Sequence, residues 1–301
     1  MKRNKGLLWI VLLLLVSLAV SVSAAEPGIV TPFPAESAEG QIAQTLSDCL
    51  GIPVLPDGAE DSGESANRML ADPDILLLDS QAAPIAGLQG YTAEDLREAM
   101  VPVCLVAESP LFVVMDVNVA EGYGIRDAET LAAWISDHEY ELTFARHTGA
   151  DVIDRAVTLL GNEAAVLTDY FLPEEIPEVL HSGEADCGVM SGAELAADAD
   201  DLIILCCLDG KRSEAFPDIP CAEEAGFPVC RGESLWLFAS AQADQAVLQQ
   251  VVETVSAADL PLPEGFEKRG LTSDALREEL KALFADLKEY MTSEGLFFYE
   301  E

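Results

Sequence analysis

Short apolar runs alternate along the chain with stretches whose apolar residues recur at helical spacing. Continuous or period-two apolar runs read as strands, and i, i+3, i+4 recurrence reads as helix. Strands are predicted at Gly28–Thr31, Ile75–Ser80, Val103–Ala107, Leu111–Met115, Glu141–Ala145, Val166–Thr168, Cys187–Met190, Leu202–Leu208 and Ser234–Ser240. Helices are predicted at Ala38–Leu50, Thr92–Met100, Asp127–Asp137 and Ala150–Leu160, and at two closing stretches, Asp244–Ala257 and Ser273–Met291. In the first helix Ile42, Leu46, Cys49 and Leu50 share one side. Thr92 with Asp95, and Thr148 with Asp151, have the spacing of a capping box, where two side chains satisfy the first free N–H groups of a helix.

Strands that alternate with helices imply an α/β fold with parallel sheets. No internal repeat or low-complexity linker interrupts the pattern. A chain of this length fits two domains. Without a tether, the natural passages between them are strands, and Leu111–Met115 and Ser234–Ser240 are the expected crossings. The expected organisation is discontinuous: one lobe from residues 26–116 plus 235–301, the other from 117–234.

The first residues change the picture of location. Lys2, Arg3 and Lys5 precede an apolar run from Leu7 to Val20, and the small residues Ser21 to Ala25 follow. This is the layout of an export signal over residues 1–25, cut after Ala24 or Ala25. The strongly apolar run is shorter than the roughly 20 residues of a spanning helix. The expected location is therefore the periplasm or the outer face of the cytoplasmic membrane.

Charge narrows the partners. The formal net charge is 16 − 54 = −38, and removal of Lys2, Arg3 and Lys5 leaves 16 − 3 = 13 cationic residues. A field of that sign repels nucleic acid and anionic membrane surfaces, so any anion site must be made locally. Seven cysteines are present. Cys206 and Cys207 are adjacent in an apolar run and read as small hydrophobes on opposite faces of a strand. Cys221 and Cys230 could form one local bridge. No Cys/His cluster has metal spacing, and no cofactor is expected. His138, His181, Trp134 and Trp236 read as structural.

Several segments resemble one family. Ile29–Pro34 reads IVTPFP and leads into a helix ending near Leu50-Gly51-Ile52-Pro53-Val54. Gly210–Pro228 reads GKRSEAFPDIPCAEEAGFP, with Lys211-Arg212-Ser213, Pro217-Asp218-Ile219-Pro220 and Glu224-Ala225-Gly226 in order. The strand SLWLFAS, the turn from His181 to Asp186, and Leu271-Thr272-Ser273 fit the same order. The set resembles the Bug/TctC solute-binding proteins of tripartite tricarboxylate transporters. The resemblance implies a periplasmic-binding-protein-like fold, with two Rossmann-like lobes joined by crossing strands around a cleft. It also implies small carboxylate ligands and separate integral-membrane transporter subunits as partners.

In open α/β sheets ligands sit beyond the carboxyl ends of strands, where helix N-termini favour anions. Two loops stand out. The first holds Phe33, Pro34, Ala35, Glu36 and Ser37. Where the family has glycines, this chain has Ala35-Glu36-Ser37, which places an acidic side chain where an anion is expected. The second holds Arg146, His147, Thr148 and Gly149, and Arg146 can grip a carboxylate. Ser80, Tyr170 and Ser191 complete the expected ligand-binding set. With Glu36 and Arg146 in separate loops, an amino acid or another zwitterion is as well suited as a dicarboxylate.

The expected function is capture of a small organic solute by a monomeric exported protein that serves a secondary transporter. Presentation of a ligand to a membrane sensor and a degenerate scaffold are the alternatives. A hydrolase is disfavoured, because no GxSxG or Ser/His/Asp constellation occurs in recognisable context.

Overall fold

The computed structural model describes residues 27–55, 61–138, 141–147, 165–172, 175–197, 200–268 and 273–293. The expected export signal, Thr148, Gly149 and the helix expected at 150–160 lie outside the described residues. In chain order the described strands are β1 (Gly28–Val30), β2 (Ile75–Asp79), β3 (Met100–Ser109), β4 (Leu111–Asp116), β5 (Leu142–His147), β6 (Ala165–Phe171), β7 (Cys187–Ser191), β8 (Leu202–Cys207) and β9 (Glu233–Ser240). The described helices are α1 (Ala38–Leu50), α2 (Ser62–Ala71), α3 (Ala82–Leu88), α4 (Leu96–Ala99), α5 (Val117–Tyr123), α6 (Ala128–Asp137), α7 (Ile176–Ser182), α8 (Gly192–Ala197), α9 (Ala222–Ala225), α10 (Gln245–Ala257) and α11 (Ser273–Ser293).

The strands form two sheets, in the orders β1-β2-β9-β3 and β6-β5-β7-β4-β8. Alternation along each strand sends its side chains to two cores. In the first sheet Leu77, Trp236 and Phe238 pack with α2, α3 and α11. Leu76, Leu78, Leu235 and Leu237 pack on the other face with α1 and α10. In the second sheet Val113, Phe144 and Val189 meet α5 and α6, while Phe112, Val114 and Met190 meet α7 and α8. Each fully buried Phe or Leu is worth about 1.5–3 kcal/mol relative to exposure. Cys206 and Cys207 divide between the two faces, as adjacent strand residues must. None of the seven cysteines is in a disulfide, so the local bridge considered between Cys221 and Cys230 is not formed.

The sheets are mixed, whereas the alternation of strands and helices predicts parallel ones. β1–β2, β5–β6 and β5–β7 are parallel. β9 runs antiparallel to β2 and β3, and β4 runs antiparallel to β7 and β8. These two strands enter their sheets from the direction of the other sheet, so their polarity opposes that of the βαβ units. β4 hydrogen-bonds wholly within the second sheet, although the sequence boundary at 116 groups it with the first. The chain crosses at Ser109–Pro110 and returns near Gly232.

The helix expected at 92–100 is confined to α4. Met100 and Val101 instead pair with Ser240 and Ala239 in the ladder between β3 and β9. The Thr92 hydroxyl donates to the Glu94 carbonyl at 2.8 Å and caps nothing. Pro102 is tolerated because β3 is an edge strand, with a register shift beside it. Helices α2 and α3 are not among the expected elements. Asp61 and Glu64 have N-cap and N3 spacing before α2, a signal that could have found it.

Candidate functional site

Because β1 and β2 are parallel, the loops leaving their carboxyl ends share one edge of the first sheet. These loops contain Phe33–Ser37 and Ser80. β5, β6 and β7 are likewise parallel, so Arg146, His147, Tyr170 and Ser191 gather at one edge of the second sheet.

The first loop is closed on itself. The Pro34 carbonyl accepts the Ser37 N–H at 3.1 Å and the Ser37 hydroxyl at 2.9 Å. Ser37 in turn caps α1 by accepting the Gly40 N–H at 3.0 Å. Phe33 is half-buried against the α1 core, while Pro34, Ala35 and Glu36 are exposed. Gly40 makes this closure possible, since a Cβ there would lie 1.9 Å from the Pro34 oxygen. Alanine for glycine within a helix ordinarily gains about 1 kcal/mol. Gly40→Ala is expected to reverse that sign and destabilise the protein by about 1–2 kcal/mol through overpacking, read from urea unfolding.

In the second sheet Arg146 is half-buried, and its Cα is in register with that of Tyr170. His147 pairs with Phe171 at the end of the same ladder. Ser191 is fully buried at the turn into α8. Its N–H donates to Glu194 Oε2 at 2.6 Å, and its Oγ accepts the Glu194 N–H at 3.3 Å. Ser80 is half-buried; its N–H donates to Asp79 Oδ1 at 2.7 Å, and its Oγ accepts the Ala82 N–H at 3.2 Å.

Three carboxylates that sequence reasoning missed connect the two edges. Glu233 opens β9, next to the return crossing, and hydrogen-bonds the Ser191 side chain. It keeps some accessible surface, yet desolvation, then Glu194 and Glu39, push its carboxyl well above the usual carboxylate range. Glu39 stands in the first turn of α1 and Glu194 in the first turn of α8. A helix from the first sheet and a turn from the second thus act on one group. Glu36, the acid singled out in the sequence, is exposed in the closed loop. The first-turn positions of Glu39 and Glu194 are visible in sequence, but nothing local marks Glu233.

The crossings are tightly built. Ser109 Oγ donates to the Gly265 carbonyl at 3.0 Å and accepts the Ala193 N–H at 2.9 Å. A Cβ on Gly232 would lie 2.5 Å from the Ser109 oxygen. Beside them Glu267 and Glu108 exchange backbone hydrogen bonds at 2.7 and 2.9 Å. The Glu267 carboxylate accepts the Ser213 hydroxyl at 2.6 Å and the Glu214 N–H at 2.7 Å, with Lys211 Nζ at 3.6 Å. The Lys211-Arg212-Ser213 stretch is therefore the seat of a clamp. Arg212 itself pairs with Glu224 at 2.8 Å.

Outside this region a surface cavity of about 600 Å³ opens between α2 and α3, lined by Ser62, Asn67, Ile85 and Tyr91 among others. Burial pushes the Cys104 and Cys206 thiols up to about 12, so neither is a thiolate at neutral pH. His138 stacks on Trp134, with ring centroids 4.3 Å apart. His181 Nε2 lies 3.7 Å from Asp116 Oδ2.

No family model matches the chain, and no curated protein matches it. Solved structures do match in fold. A TctC solute-binding protein from Polaromonas, without ligand, superposes with a TM-score of 0.71 at 12% identity, covering 88% of this chain and 97% of that one. MatC from Rhodopseudomonas palustris, with bound malate, gives 0.62 at 16% identity, covering 88% and 98%. The periplasmic binding protein BugD gives 0.61 at 16% identity, covering 89% and 97%. The chain has the two-lobed, periplasmic-binding-protein-like α/β fold, and its neighbours include members of the family its sequence resembles.

Proposed function

We propose that this chain is an exported solute-binding protein that captures one small organic solute between its lobes. It delivers that solute to the integral-membrane subunits of a tripartite tricarboxylate-type secondary transporter. The lobes are the first sheet with its helices, about residues 26–110 and 233–301, and the second sheet with its helices, about 111–232. The protein acts as a monomer and catalyses no reaction. Among the described residues no helix is long and apolar enough to cross a membrane.

The observation that carries this reading is the convergence of Glu39, Glu194, Ser191 and Glu233 from both sheets beside the return crossing. Groups from two lobes that act on one point are suited to enclose a solute there. Their charge also bears on its class. The solute bound by MatC is a dicarboxylate. Here a second carboxylate would meet like charges in a desolvated cleft, at a cost of several kcal/mol by analogy with interfaces. A solute with one carboxylate and one ammonium meets neither problem: the ammonium lies toward Glu39 and Glu194, the carboxylate toward Arg146. We therefore place amino-acid-like zwitterions ahead of diacids.

A solute that binds the native state raises stability by RT ln(1 + [L]/Kd). Thermal shifts are expected with amino acids and to be smaller with malate- or succinate-like diacids. Glu39→Gln is expected to narrow that gap by at least tenfold in relative affinity. Diacid preference in the parent chain, unchanged by Glu39→Gln, would refute the charge argument. Silence of the whole panel, together with no ligand carried through purification, would favour the scaffold reading, which the closed first loop supports.

A further inference from the structure

On the face of the first sheet covered by α2, three buried atoms have no hydrogen-bond partner: Ser65 Oγ, Asp79 Oδ2 and Trp236 Nε1. All three residues are 0% exposed. Asp79 and Trp236 are paired across the antiparallel β2–β9 ladder, so their side chains leave the same face. Ser62 donates to Asp79 Oδ1 at 3.1 Å. Ser65 follows three residues later, on the same side of α2, and so faces the same carboxyl. A buried polar group without a partner costs about 1–3 kcal/mol. Three from neighbouring positions on α2, β2 and β9 point to a common partner.

The donor set decides what that partner is. The indole N–H only donates, the hydroxyl does both, and the carboxyl oxygen accepts when ionised and donates when protonated. A cation would face the indole N–H, and an anion would face an ionised Asp79. Only a guest that both donates and accepts fits either state of the carboxyl. Buried waters make about three such bonds. We propose that Ser65, Asp79 and Trp236 form an internal site for a single water molecule, which ties α2, β2 and β9 together. The site lies directly beneath the loop that Asp79 holds through the Ser80 N–H. Next in that loop, Gln81 Nε2 donates to the Gly232 carbonyl at 3.3 Å, at the return crossing. The water is thus a brace under the cleft edge, and its presence does not depend on which solute the cleft takes.

A high-resolution crystal structure of the mature protein is expected to show one density peak about 2.7–3.2 Å from all three atoms. A direct bond from Trp236 Nε1 to Asp79 Oδ2, with no peak, overturns the proposal. Ser65→Ala provides a second reading by sign. If the hydroxyl holds a water, the variant melts several degrees lower. If the hydroxyl is merely unpartnered, its removal from a helix leaves the melting temperature unchanged or raises it, and the proposal fails.

Discussion

Replacing Glu267 with alanine is expected to destabilise the protein by about 2–3 kcal/mol. The carboxylate is 8% exposed and receives two short hydrogen bonds at one oxygen, Oε1, from the Ser213 hydroxyl and the Glu214 N–H. Ser213 is itself buried. Alanine leaves that hydroxyl without its acceptor, and an unsatisfied buried group costs more than the net worth of the bond it made. Glutamine keeps one oxygen that can accept both donors. It loses only the charge facing Lys211, whose side chain is half exposed, and such pairs contribute little. Glu267→Gln is therefore expected to lie within about 1 kcal/mol of the parent chain. Urea unfolding of the two variants checks this. Equal stability of the alanine variant and the parent chain would remove the clamp from the account of how the crossings are held.

Asp79→Asn is expected to remove a pH dependence of folding on the order of 4 kcal/mol. Burial, reinforced by Asp61, pushes the Asp79 carboxyl up from 3.8 to about 7 against the hydrogen bonds from Ser62 and Ser80. The folded chain thus keeps a proton that the unfolded chain has lost between pH about 4 and about 7. The contribution is fully present below the unfolded pKa and is lost as pH rises through the folded one. The span is about three pH units at about 1.4 kcal/mol each. Asparagine is neutral throughout. The variant is expected to match the parent near pH 4 and to exceed it above pH 7, since it never buries the charge. Paired urea midpoints at pH 5 and pH 8 isolate the Asp79 contribution from other titrations. A parent–variant difference that does not change with pH would show that Asp79 titrates in its ordinary range.

Sequence alone located the strands and the helices α1, α6, α10 and α11. The apolar runs Ile75–Ser80 and Ser234–Ser240 and the helical stripe of α1 were legible, because apolar runs and helical period involve residues a few positions apart. The ordered segments from Ile29 to Ser273 pointed to the fold that the solved structures share. They also marked the edges that hold Phe33–Ser37, Ser80, Arg146, Tyr170 and Ser191. The sequence did not give the polarity of β4 and β9, or the pairing that takes Met100 out of a helix. Nor did it show that the electrostatically linked acids are Glu39, Glu194 and Glu233 rather than Glu36. Glu267 meets Ser213 across 54 positions, Gln81 meets Gly232 across 151, and Ser109 meets Gly265 across 156. The chain crosses between sheets and returns, so the neighbours of a residue at the crossing come from segments remote in sequence. Desolvation and like-charge repulsion at Glu233, and burial at Asp79, arise only once those segments meet.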